Sequence, residues 1–251
     1  MIYREYLVMR KALLWLVGGA FALCVIAFGL TIIQGGHEST NGTLTELMQP
    51  ISYAAVLFAG IFGVALGNAS REPARVFWTF PESRVRSALS IVAVDLAGVA
   101  VAFIGLFVVF IGSVYLFGAL GAWDVRVKWE LDWWIFAKTL GFCFASYGWS
   151  ALFGIVLRRI AYGGVISLLA MMLLPAFANA KSAIGEVVRK LCVADPWVIA
   201  NLGSHARADD LLAISLSWVT PQSATLVLCA ITIATCAAAT AIWSRAEIIA
   251  A

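Results

Sequence analysis

Charge is what this chain has least of. Only 12% of its residues are Asp, Glu, Lys or Arg, against about a quarter in a soluble domain. With 63% hydrophobic residues and a mean hydropathy of +0.95, a water-exposed fold would precipitate, so lipid is the expected solvent. Histidine is nearly as scarce. His37 and His205 both fall outside the apolar blocks, which leaves no imidazole for proton relay or metal binding at membrane depth. The five cysteines form no CxxC and no Cys/His cluster, excluding a zinc site or a disulfide framework. Cys24, Cys143, Cys229 and Cys236 lie in apolar blocks, where a thiol acts as a small hydrophobe, and only Cys192 lies in a polar loop. Also missing are GxxxxGK[ST], GxSxG, HExxH and GxGxxG, so the chain offers no nucleotide cradle, nucleophile elbow or zinc helix. It is not expected to be an enzyme or to bind a cofactor. A net charge of +3 and a pI near 8.7 raise the question of nucleic acid. No dense Lys/Arg run is interleaved with aromatics, and nucleic-acid binding is excluded as a reading.

What the chain does have is long apolar blocks. They cover residues 12–33, 51–69, 88–117, 134–157, 160–178 and 223–243, each near the roughly 20 residues that cross a hydrocarbon core. The first is too long for a signal-peptide core and leads into Gln34-Gly35-Gly36, so it reads as a span. The expectation is an all-α polytopic membrane protein, a single transmembrane domain over 1–251 with about six spans. Only Arg158 and Arg159 divide the fourth from the fifth.

Basic residues set the orientation. With the amino end inside, the inner segments hold Arg4, Arg10, Lys11, Arg71, Arg75, Arg84, Arg86, Arg158, Arg159 and Arg245 against Glu5, Glu72, Glu82 and Glu247. The longer outer loops hold Arg126, Lys128, Lys138, Lys181, Arg189, Lys190 and Arg207 among a larger number of acids. Both ends are therefore expected in the cytoplasm. Trp123, Trp129, Trp133, Trp134, Trp197, Trp218 and Trp243 lie near block ends, as interfacial anchors do.

The outer segment 179–222 is too apolar for a plain linker. Leu211, Leu212, Ile214, Leu216, Trp218 and Val219 mix with Asp195, His205, Asp209 and Asp210, the mixture expected of short interfacial or re-entrant helices between spans five and six. At the other terminus, Ile2, Tyr6, Met9 and Leu13 share an arc opposite Arg4 and Lys11. This predicts either an amino-terminal helix lying on the inner leaflet or a basic flank of the first span.

One carboxylate lies inside a block. Asp95 falls about seven residues, roughly 10 Å of rise, into the third span. A charge there is costly. It is expected either to pair with Arg84, Arg86 or a polar residue of another helix, or to serve as an ion or proton site.

The inner loop 70–87 is the most informative segment. Val76, Phe77, Trp78 and Phe80 stand between Arg71, Glu72 and Arg75 on one side and Arg84 and Arg86 on the other. Exposed aromatics inside a charged rim suit a docking element, which needs a knob to fill a pocket and charges to fix its register. Pro81 would stop its helix and Glu82-Ser83 could begin the next.

Here the chain resembles the membrane subunits of ATP-binding-cassette (ABC) exporters of the type-two permease family. The family pattern of an acidic residue, an apolar run, Pro, then Ser-Arg and a further basic residue before a long third span is similar to Glu72, Phe77 to Phe80, Pro81, Ser83-Arg84 and Arg86. Pro73-Ala74 stand where a glycine-rich turn is usual. The resemblance implies that residues 71–80 form a coupling helix seated in a separate ATPase subunit, which would hold the ATP and Mg. It further implies that two copies, or two related permeases, flank the pathway in a bacterial inner membrane.

Overall fold

The computed structural model describes residues 2–33, 38–69, 84–119, 123–128, 130–157, 166, 167, 169–171, 173, 177, 178, 183–201 and 216–245. Apolar runs without internal breakers become long helices: α1 (Ile2–Ile33), α2 (Leu44–Ala69), α3 (Arg84–Ala119), α4 (Trp133–Leu157) and, after two short helices α5 (Ala183–Leu191) and α6 (Pro196–Asn201), α7 (Pro221–Arg245). Among the described residues four helices are long and apolar enough to cross a membrane, and 51–65 within α2 forms a shorter apolar stretch. Of the predicted fifth span, 160–178, the described residues are too few to follow a continuous helix.

Polar residues at the boundaries explain where these helices start. Asp132 Oδ1 accepts the Trp134 and Ile135 amides at 2.8 and 3.3 Å, capping α4. Thr220 and Ser223 cap α7 reciprocally. The Ser223 amide donates to Thr220 Oγ1 at 3.2 Å and the Thr220 amide donates to Ser223 Oγ at 2.8 Å, with Pro221 at the first helical position, where its missing N–H costs nothing. Within the apolar helices the hydroxyls of Thr139, Thr232 and Thr235 donate to carbonyls one turn back, so that these polar groups are satisfied in apolar surroundings.

Two differences from the sequence expectation stand out. The amino-terminal segment is no separate surface helix but the first turns of α1, since nothing between Arg4 and Leu13 breaks helix. Met9 of the expected arc is buried over Gly98 of α3, while Tyr6 is half exposed. The second is a pair of short strands, β1 (Glu38–Thr43) and β2 (Trp123–Lys128), added to an otherwise helical chain. They run parallel in a two-stranded ribbon, with Glu38 opposite Trp123 and Thr43 opposite Lys128. The ribbon ties the α1–α2 connection to the α3–α4 connection, and the same order of helix, strand, helix occurs twice.

Helix α4 is the hub. It packs most extensively on α2 and α7, while α1 packs on α3. Glycine permits the approach. A Cβ on Gly63 of α2 would lie 2.9 Å from the Ala151 amide nitrogen and 3.0 Å from Ser150 Cβ, and one on Gly154 of α4 would lie 2.9 Å from Val64 Cα. The two backbones therefore touch, as in small-residue crossings of membrane helices. On the opposite side Gly148 faces Thr235 and Cys236 of α7. Phe103 and Phe136, 5.4 Å apart, join α3 to α4.

Candidate functional site

Asp95 and Tyr147 meet inside the bundle. Tyr147 Oη donates to Asp95 Oδ2 at 2.9 Å, and the two residues are 4% and 0% exposed. Tyr147 lies near the middle of α4, some 21 Å of helix rise from Trp133. About 13 Å of rise separates Asp95 from Arg86 on the same helix, too far for a direct pair. Of the expectations for Asp95, partnership with a polar residue of another helix is the one observed. A phenol donor in a dry setting offsets part of the cost of a buried carboxyl, which can hold a proton or, ionised, a cation.

One turn further along α4, Ser150 Oγ and Ser167 Oγ are 2.9 Å apart and both residues are buried. Ser146 Oγ is buried without a hydrogen-bond partner. The middle of α4 thus carries hydroxyls in an otherwise apolar core. The described residues contain no group of three or more His, Cys, Asp or Glu that could hold a metal ion.

A second feature is apolar. A cavity of about 250 Å³ lies between α1, α2 and α3, lined by Ala20, Leu23, Cys24, Ile51, Ala54, Leu106, Val109 and Phe110. A water needs two to four polar partners and would find none here, so the space suits hydrocarbon.

Of the residues expected from the sequence to couple to an ATPase, Arg71, Glu72, Arg75, Phe77, Trp78, Phe80 and Pro81 lie outside the described residues. Arg84 opens α3 and Arg86 is exposed in its first turn. Asp95 and the arginines are therefore on one helix but are not brought together.

The segment between the predicted fifth and sixth spans holds features the sequence did not display. Trp197 does not lie at the surface as a free anchor. Its ring is 5.6 Å from Tyr53 of α2 and 6.0 Å from Phe142 of α4. Trp243 is likewise buried, whereas Trp133, Trp134 and Trp218 are exposed as anchors should be. Cys192, read as a loop cysteine, is fully buried, and burial with the nearby Asp195 pushes its thiol up to about 11. Asp195 caps α6 by accepting the Trp197 amide at 2.9 Å. The signal for that cap was in plain view, an Asp directly before Pro196.

No protein-family model, curated protein or solved structure matches this chain. Its class rests on its helices, which are those of a polytopic α-helical membrane protein.

Proposed function

We propose that this chain is the permease subunit of an ATP-driven exporter of the ATP-binding-cassette type. It contributes spans to the pathway and is moved by a separate ATPase subunit that carries the ATP and Mg. The observation that carries the reading is the segment between α2 and α3. Helix α2 ends at Ala69 and α3 begins at Arg84, so the run Val76-Phe77-Trp78 with Phe80, rimmed by Arg71, Arg75, Arg84 and Arg86, joins neighbouring ends of two long apolar helices. A motor docked there would grip both. The chain has no nucleotide motif of its own, which fits a division of labour between subunits. In this reading the docking loop and both chain ends face the cytoplasm of a bacterial cell, and two copies or two related permeases assemble side by side.

Phe77→Ala and Trp78→Ala test it. Each should reduce transport per ATP hydrolysed by tenfold or more, as truncation of a buried aromatic anchor does, with the protein still inserted in the membrane. Unchanged coupling in both variants contradicts the docking role.

A second reading, an ion-coupled transporter or channel, is favoured by one specific observation, the Asp95 carboxyl held by Tyr147 in the bundle interior. It predicts that Asp95→Asn abolishes a transport activity that survives ATP depletion. The permease reading predicts that ATP depletion stops transport in the unaltered protein.

A further inference from the structure

Asp195 lies between the 3₁₀ turn Cys192–Ala194 and α6 and is fully buried. Its Oδ1 accepts the Trp197 amide at 2.9 Å and its main-chain carbonyl accepts the Ile199 amide at 3.2 Å. Its Oδ2 has no hydrogen-bond partner. The helix that it caps is the joint between the α5–α6 segment and the bundle. Trp197 packs on Tyr53 and Phe142, and Ile199 is fully buried in the main core. Val198 closes a satellite core with Cys192, Ala178 and Leu216. One carboxyl with an unmet oxygen therefore sits beneath a dry joint.

We propose that Asp195 is a proton-operated latch: a proton on its carboxyl holds the α5–α6 segment against α2, α4 and α7, and loss of that proton loosens it. The physical reason is the unmet oxygen. Buried without a partner, a neutral carboxyl costs far less than a carboxylate, and undocking returns the carboxylate to water. Burial, opposed by the Trp197 and Val198 amides, pushes the carboxyl up to about 7 from its ordinary 3.8. With the docked value above the undocked one, docking is strongest in acid. It weakens as pH rises from the ordinary carboxylate value towards about 7 and levels off above that.

Among the described residues, the titratable neighbours are few. The Cys192 thiol beside Asp195 titrates far above this range, at about 11. On α5, Glu186 is held below its usual range by its hydrogen bond and ion pair with Lys190, while Arg189 donates to the Ala178 carbonyl. By sequence, the charged or phenolic residues of the helices packed against α6 are Lys138 and Tyr147 on α4, Glu46 and Tyr53 on α2, and on α7 Arg245 at its end. The proposal does not depend on the ATPase reading, since it concerns docking of the segment with or without a motor.

Hydrogen exchange of the amides at 197–201, measured on the purified full chain in detergent from about pH 5 to about pH 8.5 and corrected for intrinsic exchange, tests it. Protection should fall by up to about tenfold per pH unit below about 7 and flatten above, while α3 and α4 amides stay constant. Asp195→Asn, which keeps the capping oxygen and removes the proton, should make the profile flat. A flat profile in the unaltered protein overturns the latch, as does a fall shared with α3 and α4 or an unchanged fall in Asp195→Asn. Should that variant fail to accumulate, the profile of the unaltered protein decides alone.

Discussion

A carboxyl in a hydrocarbon-embedded bundle needs a donor, and Asp95 has one in Tyr147. Replacing the donor leaves the cost of burial and removes part of its compensation. Tyr147→Phe should therefore lower stability by about 1–2 kcal/mol, read as a shift of several degrees in a thermal unfolding scan in detergent. Adding Asp95→Ala should recover part of that loss, because the two effects share one contact and are not additive. Strict additivity would show that the hydrogen bond carries no stability. Asp95 was legible in the sequence because a single acid in an apolar block has no neighbours to hide it. Tyr147 was not, since a tyrosine among Phe, Ala and Gly reads as core until the facing helix is known. Cys192 and Trp197 were misplaced for the same reason: the polarity of a stretch predicts its exposure only where no tertiary neighbour covers it.

Helices were legible where an apolar run was bounded by a cap. The reading 134–157 became Trp133–Leu157 after Asp132, and 223–243 became Pro221–Arg245 after Thr220. Helix α2 starts earlier than expected because its first turns hold Thr45, Glu46, Gln49 and Pro50, which break the apolar run but not the helix. The ribbon went unread because Glu38–Thr43 has no apolar alternation. Its partner does, with Val125 and Val127 between Asp124, Arg126 and Lys128, yet pairing so distant in sequence is invisible to a local pattern. Also hidden was the closeness of α2 and α4, which hangs on single glycines. Gly63→Val should destabilise the bundle by about 1–3 kcal/mol, because the obstructing atoms are backbone and cannot step aside. Gly112→Ala, with nothing within 4 Å of the added carbon, is the matched control and should leave the melting temperature nearly unchanged. Equal effects at the two positions would contradict the packing described.

At the scale of the whole molecule, the bundle has two unlike ends. At one, the ribbon ties the α1–α2 connection to the α3–α4 connection. At the other, a short aromatic loop rimmed by arginines links α2 to α3. Gly63 and Gly154 set α2 against α4 backbone to backbone, and Gly148 sets α4 against Thr235 and Cys236 of α7. In the proposed reading, a motor gripping the segment between α2 and α3 would act on α4 through the α2–α4 contact. The claim is tested most directly by extracting the tagged protein from its native membranes in mild detergent and identifying what accompanies it. Recovery of an ATPase subunit in defined ratio, lost together with Phe77→Ala and Trp78→Ala, is the predicted result. Repeated recovery of the intact protein with no ATPase partner would contradict the account.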